Sequence, residues 1–265
     1  MRRPLAIFTI ALALLAAAAG AAARAAEYVA IPGGMFASVL PADGKAADAT
    51  VAPFRLRVTP VTNGDFLAFV DAHPDWRRDR IARIFAEARY LQSWAAADAL
   101  GDTISPEQPV TNVSWFAAEA FCESEGARLP TWYEWELAAA ADATRTDARA
   151  DPAWRERILA WYARPSTDAL APVGGEPNVY GVRDLHGLVW EWVDDFNALL
   201  VSADNREQGD PDLLRFCGAG AITLQQRDNY AVLMRIAMLS SLKAADTTAN
   251  LGFRCAKPTA PEHTR

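Results

Sequence analysis

The chain has 265 residues, with 26 basic against 33 acidic side chains, a net charge of −7 at pH 7. An acidic balance of this size argues against a nucleic-acid partner and against an anionic membrane surface, and says nothing about fold. Nine Trp and eleven Phe supply enough apolar volume for one large core.

The N-terminus reads as a secretory signal. Arg2 and Arg3 precede the uncharged run LAIFTIALALLAAAAGAAA, and Ala23-Arg24-Ala25 has the small-x-small form of a cleavage site. Cleavage is therefore expected after Ala25, giving a periplasmic or secreted protein. The alternative is an uncleaved membrane anchor. Loss of residues 1–25 removes three arginines and leaves 23 basic against 33 acidic side chains, or −10. No later run is long and apolar enough to span a bilayer, so no membrane association is expected after cleavage.

Residues 26–257 read as one domain, since no Pro/Gly/Ser-rich linker and no internal repeat interrupts them. Residues 258–265 read as a disordered tail. YVAIPGGMF predicts two short strands around a Pro-Gly-Gly turn, and VAPFRLRVTPVT another extended segment. In TNGDFLAFVDAHP, Phe66, Leu67, Phe69 and Val70 share a helical face, with Thr62 or Asn63 as cap and Pro74 as stop. Residues 77–89 predict a charged surface helix.

Ser114 caps a further helix that runs to Gly126. Thr131 and Glu134 form a capping box ahead of WELAAAA. Asp151-Pro152 opens a helix with an apolar face of Trp154, Ile158, Trp161 and Tyr162, closed by Pro165. From Pro172 onward the pattern is short strands and loops, with one helix around residues 230–239.

Common catalytic constellations are absent from the sequence. A Ser/His/Asp triad needs a base beside its nucleophile, and the chain has only His73, His186 and His263. There is no Cys-x-x-Cys and no paired histidine motif. The three cysteines, Cys122, Cys217 and Cys255, suggest one disulfide and one free thiol in an oxidising compartment; counting leaves all three pairings open.

Several blocks, in order, carry a resemblance. These are IPGGMF, VTPVTNGDFLAFV, NVSWFAAEAFCESEGARLPTWYEWELAAA, NVYGVRDLHGLVWEW and LGFRC, which together cover nearly all of residues 28–256. They resemble the formylglycine-generating, or sulfatase-modifying-factor, family. The resemblance implies a single α+β domain of the C-type-lectin-like kind, low in regular structure. It implies that Trp115, Trp132, Trp135, Trp190 and Trp192 are mostly architectural, some of them donating N–H to loop carbonyls. It also implies a Cys122–Cys255 disulfide, because the family bonds the cysteines of those two blocks.

The formylglycine-making members bind copper with two closely spaced cysteines shortly before the GFRC block, a donor set suited to Cu(I). Here that stretch reads FCGAGAITLQQRDNYAVLMRIAML and holds Cys217 alone. Sulfoxide-synthase-type members use a histidine triad for iron, which this chain lacks. Cys217 is the best catalytic candidate and a candidate copper ligand, with Met234 and Met238 one helical turn apart as soft partners. The alternative places Cys217 and both methionines in the core.

In the family the WEW loop also holds calcium through carbonyls, an Asn and a Glu. Glu191 is the candidate calcium ligand, although Leu188 replaces the Asn, one hard oxygen fewer. Its other reading is a buried carboxylate bonded by loop amides. The run GVRDLHGLVWEWVDDFNALLV followed by FCGAGA is most similar to exported members that accompany copper nitrite reductases. That similarity implies a non-catalytic accessory or maturation factor for an exported metalloenzyme, or a binder of its peptide segment. The competing reading is an oxidoreductase with a divergent metal site around Cys217.

Overall fold

A computed structural model describes residues 26–38, 48–164, 169–198 and 230–259. The expected cleavage site, Pro165, Cys217 and residues 260–265 of the expected tail lie outside them; Pro258, read as the start of that tail, instead closes the last strand opposite Phe54.

Tyr28–Ile31 (β1) and Gly34–Ala37 (β2) flank the Pro-Gly-Gly turn, as the sequence predicts, but they do not pair with each other. Gly33 sits at φ +70°, and a Cβ there would lie 2.3 Å from the Val51 carbonyl oxygen, so the chain is redirected rather than folded back. β2 pairs antiparallel with Asp48–Val51 (β3), and β1 with Phe54–Arg57 (β4). β4 is the centre of a three-stranded sheet whose other edge is the C-terminal strand Ala256–Pro258 (β7). Two-residue strands Trp190–Glu191 (β5) and Leu251–Gly252 (β6) form a short parallel pair.

The helices start where their caps predict. In Asn63–Ala72 (α1) the Thr62 hydroxyl accepts from the Asp65 amide and Asp65 answers the Thr62 amide. Ser114 caps Trp115–Ser124 (α2), and Gly126, at φ +64°, lies just past its end. Trp132–Ala139 (α3) has the Thr131/Glu134 box, and Pro152–Tyr162 (α4) has Asp151 as cap. Tyr230–Ser240 (α5) is the last helix.

The predicted helix at residues 77–89 is not there. A 3-10 turn at Pro74–Trp76 leads into successive turns. Two tertiary contacts outweigh local propensity: the Arg78 guanidinium donates to the carbonyls of Leu91 and Trp94, and the Glu87 amide donates to the Ala245 carbonyl at 2.9 Å. Leu91, at φ +48°, turns the chain back into the core.

The core lies where α1, α2 and the segment after β6 meet. Phe66 contacts Phe69, Trp94, Phe121 and Phe253 at ring separations of 5.3–6.3 Å. Cys122 on α2 is bonded to Cys255, fastening the C-terminal strand to this core. The cysteine pairing is thus the one the resemblance implies. Among the described residues no helix is long and apolar enough to cross a membrane.

Candidate functional site

The parallel pair β5/β6 brings the WEW and GFRC blocks side by side, two residues out of register with their charges. Glu191 leaves β5 into the core, and Arg254 follows β6 by two residues. Arg254 Nε donates to Glu191 Oε2 at 2.8 Å and its terminal nitrogen to Oε1 at 2.7 Å, with both side chains fully buried. The same guanidinium also reaches the carbonyls of Arg57, Val58 and Arg183, so it ties three segments to one carboxylate. Trp135 Nε1 donates to Glu191 Oε2 at 2.8 Å.

Arg235 on α5 completes this junction. It is 2 % exposed, lies 3.6 Å over the Trp135 ring and donates to the Glu191 backbone carbonyl. Its Nε has no partner among the described residues. Burial pushes its guanidinium down to about 10, with Glu191 opposing that shift. The sequence reading passed over both arginines. Arg235 is the one charge in the otherwise apolar run YAVLMRIAML, a signal for a buried cation; Arg254 stands beside Cys255 in LGFRC.

Glu191 is therefore buried as one reading expected, but side chains rather than loop amides hold it. A guanidinium within 3 Å supplies the counter-charge that a calcium ion would otherwise bring. Both carboxylate oxygens are engaged, which does not fit Glu191 as a calcium ligand. The other tryptophans follow the architectural expectation. Trp115 and Trp192 donate to the carbonyls of Val193 and Val113 at 3.0 Å, and Trp132 donates to Glu136.

On the far side of Trp135, a cavity of about 340 Å³ opens between α4 and residues 176–187. Trp154, Ile158 and Trp161 form its apolar wall, with Glu176, Asp184 and His186 among the facing residues. His186 packs edge-on against Trp135 and Trp154, each at 5.6 Å. Its Nε2 lies 2.9 Å from the Ala139 carbonyl oxygen, which makes Nε2 the protonated nitrogen of a neutral ring; Nδ1 is enclosed without a partner among the described residues. Burial pushes this histidine down to about 4. It is a neutral structural donor, and no hydroxyl or thiol nucleophile is placed beside it among the described hydrogen bonds.

Of the copper candidates, Met234 is 40 % exposed and Met238 packs partly against the core. The alternative placed both in the core; Met238 is half-buried against it and Met234 is exposed. The position of Cys217 relative to them lies outside the described residues.

A family model described as the sulfatase-modifying factor enzyme 1-like domain matches residues 15–259. The chain belongs to this family. It is 33 % identical to a formylglycine-generating enzyme of Streptomyces coelicolor, over 86 % of this chain and 88 % of that protein. It is 29 % identical to the inactive Cα-formylglycine-generating enzyme 2 of Mus musculus, over 85 % and 84 %. It is also 33 % identical to hercynine oxygenase of Mycobacterium tuberculosis, over 54 % of this chain but only 37 % of that enzyme.

The copper chemistry implied by the sulfatase-modifying-factor family can be tested against the donors present. Of three cysteines, Cys122 and Cys255 are joined to each other. Cys217 is the one remaining thiol in the chain. A two-thiolate Cu(I) site needs two, so the residues do not fit that group. Among the described residues no three His, Cys, Asp or Glu side chains converge in a way that could hold a metal ion.

Proposed function

We propose that this chain is an exported accessory or binding factor for an exported metalloenzyme, acting in the periplasm or outside the cell and without formylglycine-generating activity of its own. One observation carries the reading: the Cys122–Cys255 bond takes two of the three cysteines, leaving a single thiol where the copper chemistry needs a pair. The similarity to a relative named inactive supports it. A copper nitrite reductase is the partner favoured by the likeness of GVRDLHGLVWEWVDDFNALLV and FCGAGA to exported members of the family. The test supplies Cu(I), oxygen and a sulfatase-motif peptide to the purified mature protein. The expected result by mass spectrometry is an unchanged peptide cysteine; conversion to the aldehyde overturns the reading.

A second reading keeps an oxidoreductase role with a divergent copper site at Cys217. It is favoured by the exposure of Met234, one turn from Met238, which puts a soft donor at the surface of α5. Metal analysis of the purified protein separates the two. The divergent site requires stoichiometric copper that Cys217→Ser removes, whereas the accessory role requires none.

A further inference from the structure

Between Pro74 and Tyr90 the chain carries five arginines (77, 78, 80, 83 and 89) against three carboxylates (Asp75, Asp79 and Glu87), a basic island on an acidic protein. The fold uses some of these charges. Arg77 pairs with Asp79 and Asp98, Arg89 pairs with Glu87, and Arg78 is turned inward onto two carbonyls. Arg80 and Arg83 remain exposed, and their guanidiniums make no hydrogen bond or ion pair among the described residues.

Ile84 adjoins them and is 73 % exposed, the most exposed large apolar side chain among the described residues; Phe85 follows at 38 %. Phe85 is not an isolated surface residue. The Phe85 ring is backed by Trp76 at 5.9 Å and Phe116 at 5.4 Å, so an apolar ridge continues inward from Ile84.

The ridge is also held in place. Glu87 accepts from the amide and hydroxyl of Thr247, the Tyr90 hydroxyl donates to the Trp76 carbonyl at 2.9 Å, and Ala86 and Tyr90 are buried beneath it. Propensity alone favoured a helix here. The structure instead fixes an irregular turn whose tip is apolar and whose flanks are free guanidiniums. A pre-formed surface of this kind loses little conformational freedom on binding.

We propose that this ridge is the docking surface for an acidic, apolar-tipped segment of a partner protein. Carboxylates of the partner lie against Arg80 and Arg83, and an apolar side chain of the partner lies against Ile84 and Phe85. The acidic balance of the whole chain disfavours an extended anionic membrane as occupant, whereas a short acidic segment meets only the local guanidiniums. The surface names the partner-facing side of the accessory reading and rests on that reading.

The experiment places a photo-reactive phenylalanine analogue at position 84 of the full chain in the exporting cell. A matched control carries it at Met35, which is 70 % exposed on β2. An adduct specific to position 84 is expected, its acceptor peptide rich in Asp or Glu. Arg80→Glu with Arg83→Glu is expected to lower its yield about tenfold, while an unchanged melting curve shows that the fold survives.

Several results overturn the proposal. These are no adduct above the Met35 control, an adduct to a second copy of this chain, an acceptor peptide without carboxylates, and a yield indifferent to charge reversal. Sedimentation of the purified protein with phosphatidylglycerol vesicles that charge reversal abolishes also overturns it, in favour of a membrane. An acidic partner that holds no metal keeps the docking surface and removes the metalloenzyme reading. A metalloenzyme that co-purifies without contact at position 84 does the reverse.

Discussion

Glu191 and Arg254 are 63 residues apart in sequence and meet as a bidentate ion pair with both side chains fully buried. The pair joins the WEW and GFRC blocks through β5 and β6, which are only two residues long each. With so little ladder to hold them, the side chains supply the registration. Removing one partner leaves the other charged in a fully buried site, so Glu191→Gln should lower stability by about 3–5 kcal/mol. The double variant Glu191→Gln/Arg254→Met should lose less than the sum of the single losses, because neither charge is then stranded. Urea unfolding of the four proteins checks this. A loss below about 1 kcal/mol for Glu191→Gln would show that other contacts hold the junction.

Much of the fold was legible because its signals are local. Thr62, Ser114, Thr131 and Asp151 each accept from the first turn of the helix that the sequence assigned to them. The family blocks gave the cysteine pairing. What could not be read is non-local. β1 and β2 look like one hairpin, yet each pairs with a different later strand. Residues 77–89 have a helical composition, yet Arg78 and Glu87 are drawn to carbonyls far along the chain. At the site, Glu191 was found but not its partner. Arg254 is legible as buried only once the carboxylate it answers is known, and that carboxylate lies on β5, 63 residues away.

His186 sets the expected response to acid. Burial, with the positive charges of Arg235 and Arg254 nearby, pushes it from the ordinary 6.5 down to about 4. The unfolded chain therefore binds this proton before the folded protein does. Its contribution is whole above about pH 6.5 and is lost as pH falls toward about 4, a change of at most about 3 kcal/mol. Glu119 and Asp195, raised mainly by burial, act in the opposite sense. The informative quantity is thus a difference. Stability measured from pH 7 to pH 4.5 should fall less steeply for His186→Leu than for the parent protein, even though the variant starts lower. Parallel profiles would show that another group governs the acid response.

The Cys122–Cys255 bond closes a loop of 133 residues. The chain-entropy model gives such a closure roughly 5 kcal/mol, comparable with the whole net stability of many domains. Reduction should therefore unfold the protein or lower its melting point sharply. Cys122→Ala/Cys255→Ala should behave like the reduced form. Alkylation of the native protein followed by non-reducing peptide mapping should label Cys217 alone. A cross-link containing Cys217, or three labelled thiols in the native state, would contradict the pairing.

Export makes the last prediction. Small residues at positions 23 and 25 lead to the expectation of cleavage after Ala25, with the mature chain beginning at Ala26. The fold is compatible with that cut and with none much later. The Glu27 carbonyl accepts from the Val58 amide at 3.0 Å, and Tyr28 opens β1, pairing with Arg57. The Tyr28 hydroxyl then donates to Glu125 at 2.6 Å, joining the new N-terminal strand to the end of α2. A cut beyond residue 28 would remove that bond and unpair an edge of the three-stranded sheet. N-terminal sequencing of protein recovered from the periplasm or the medium should read Ala-Glu-Tyr. Recovery of the chain from a membrane fraction, still beginning at Met1, would show that residues 1–25 act as an anchor instead.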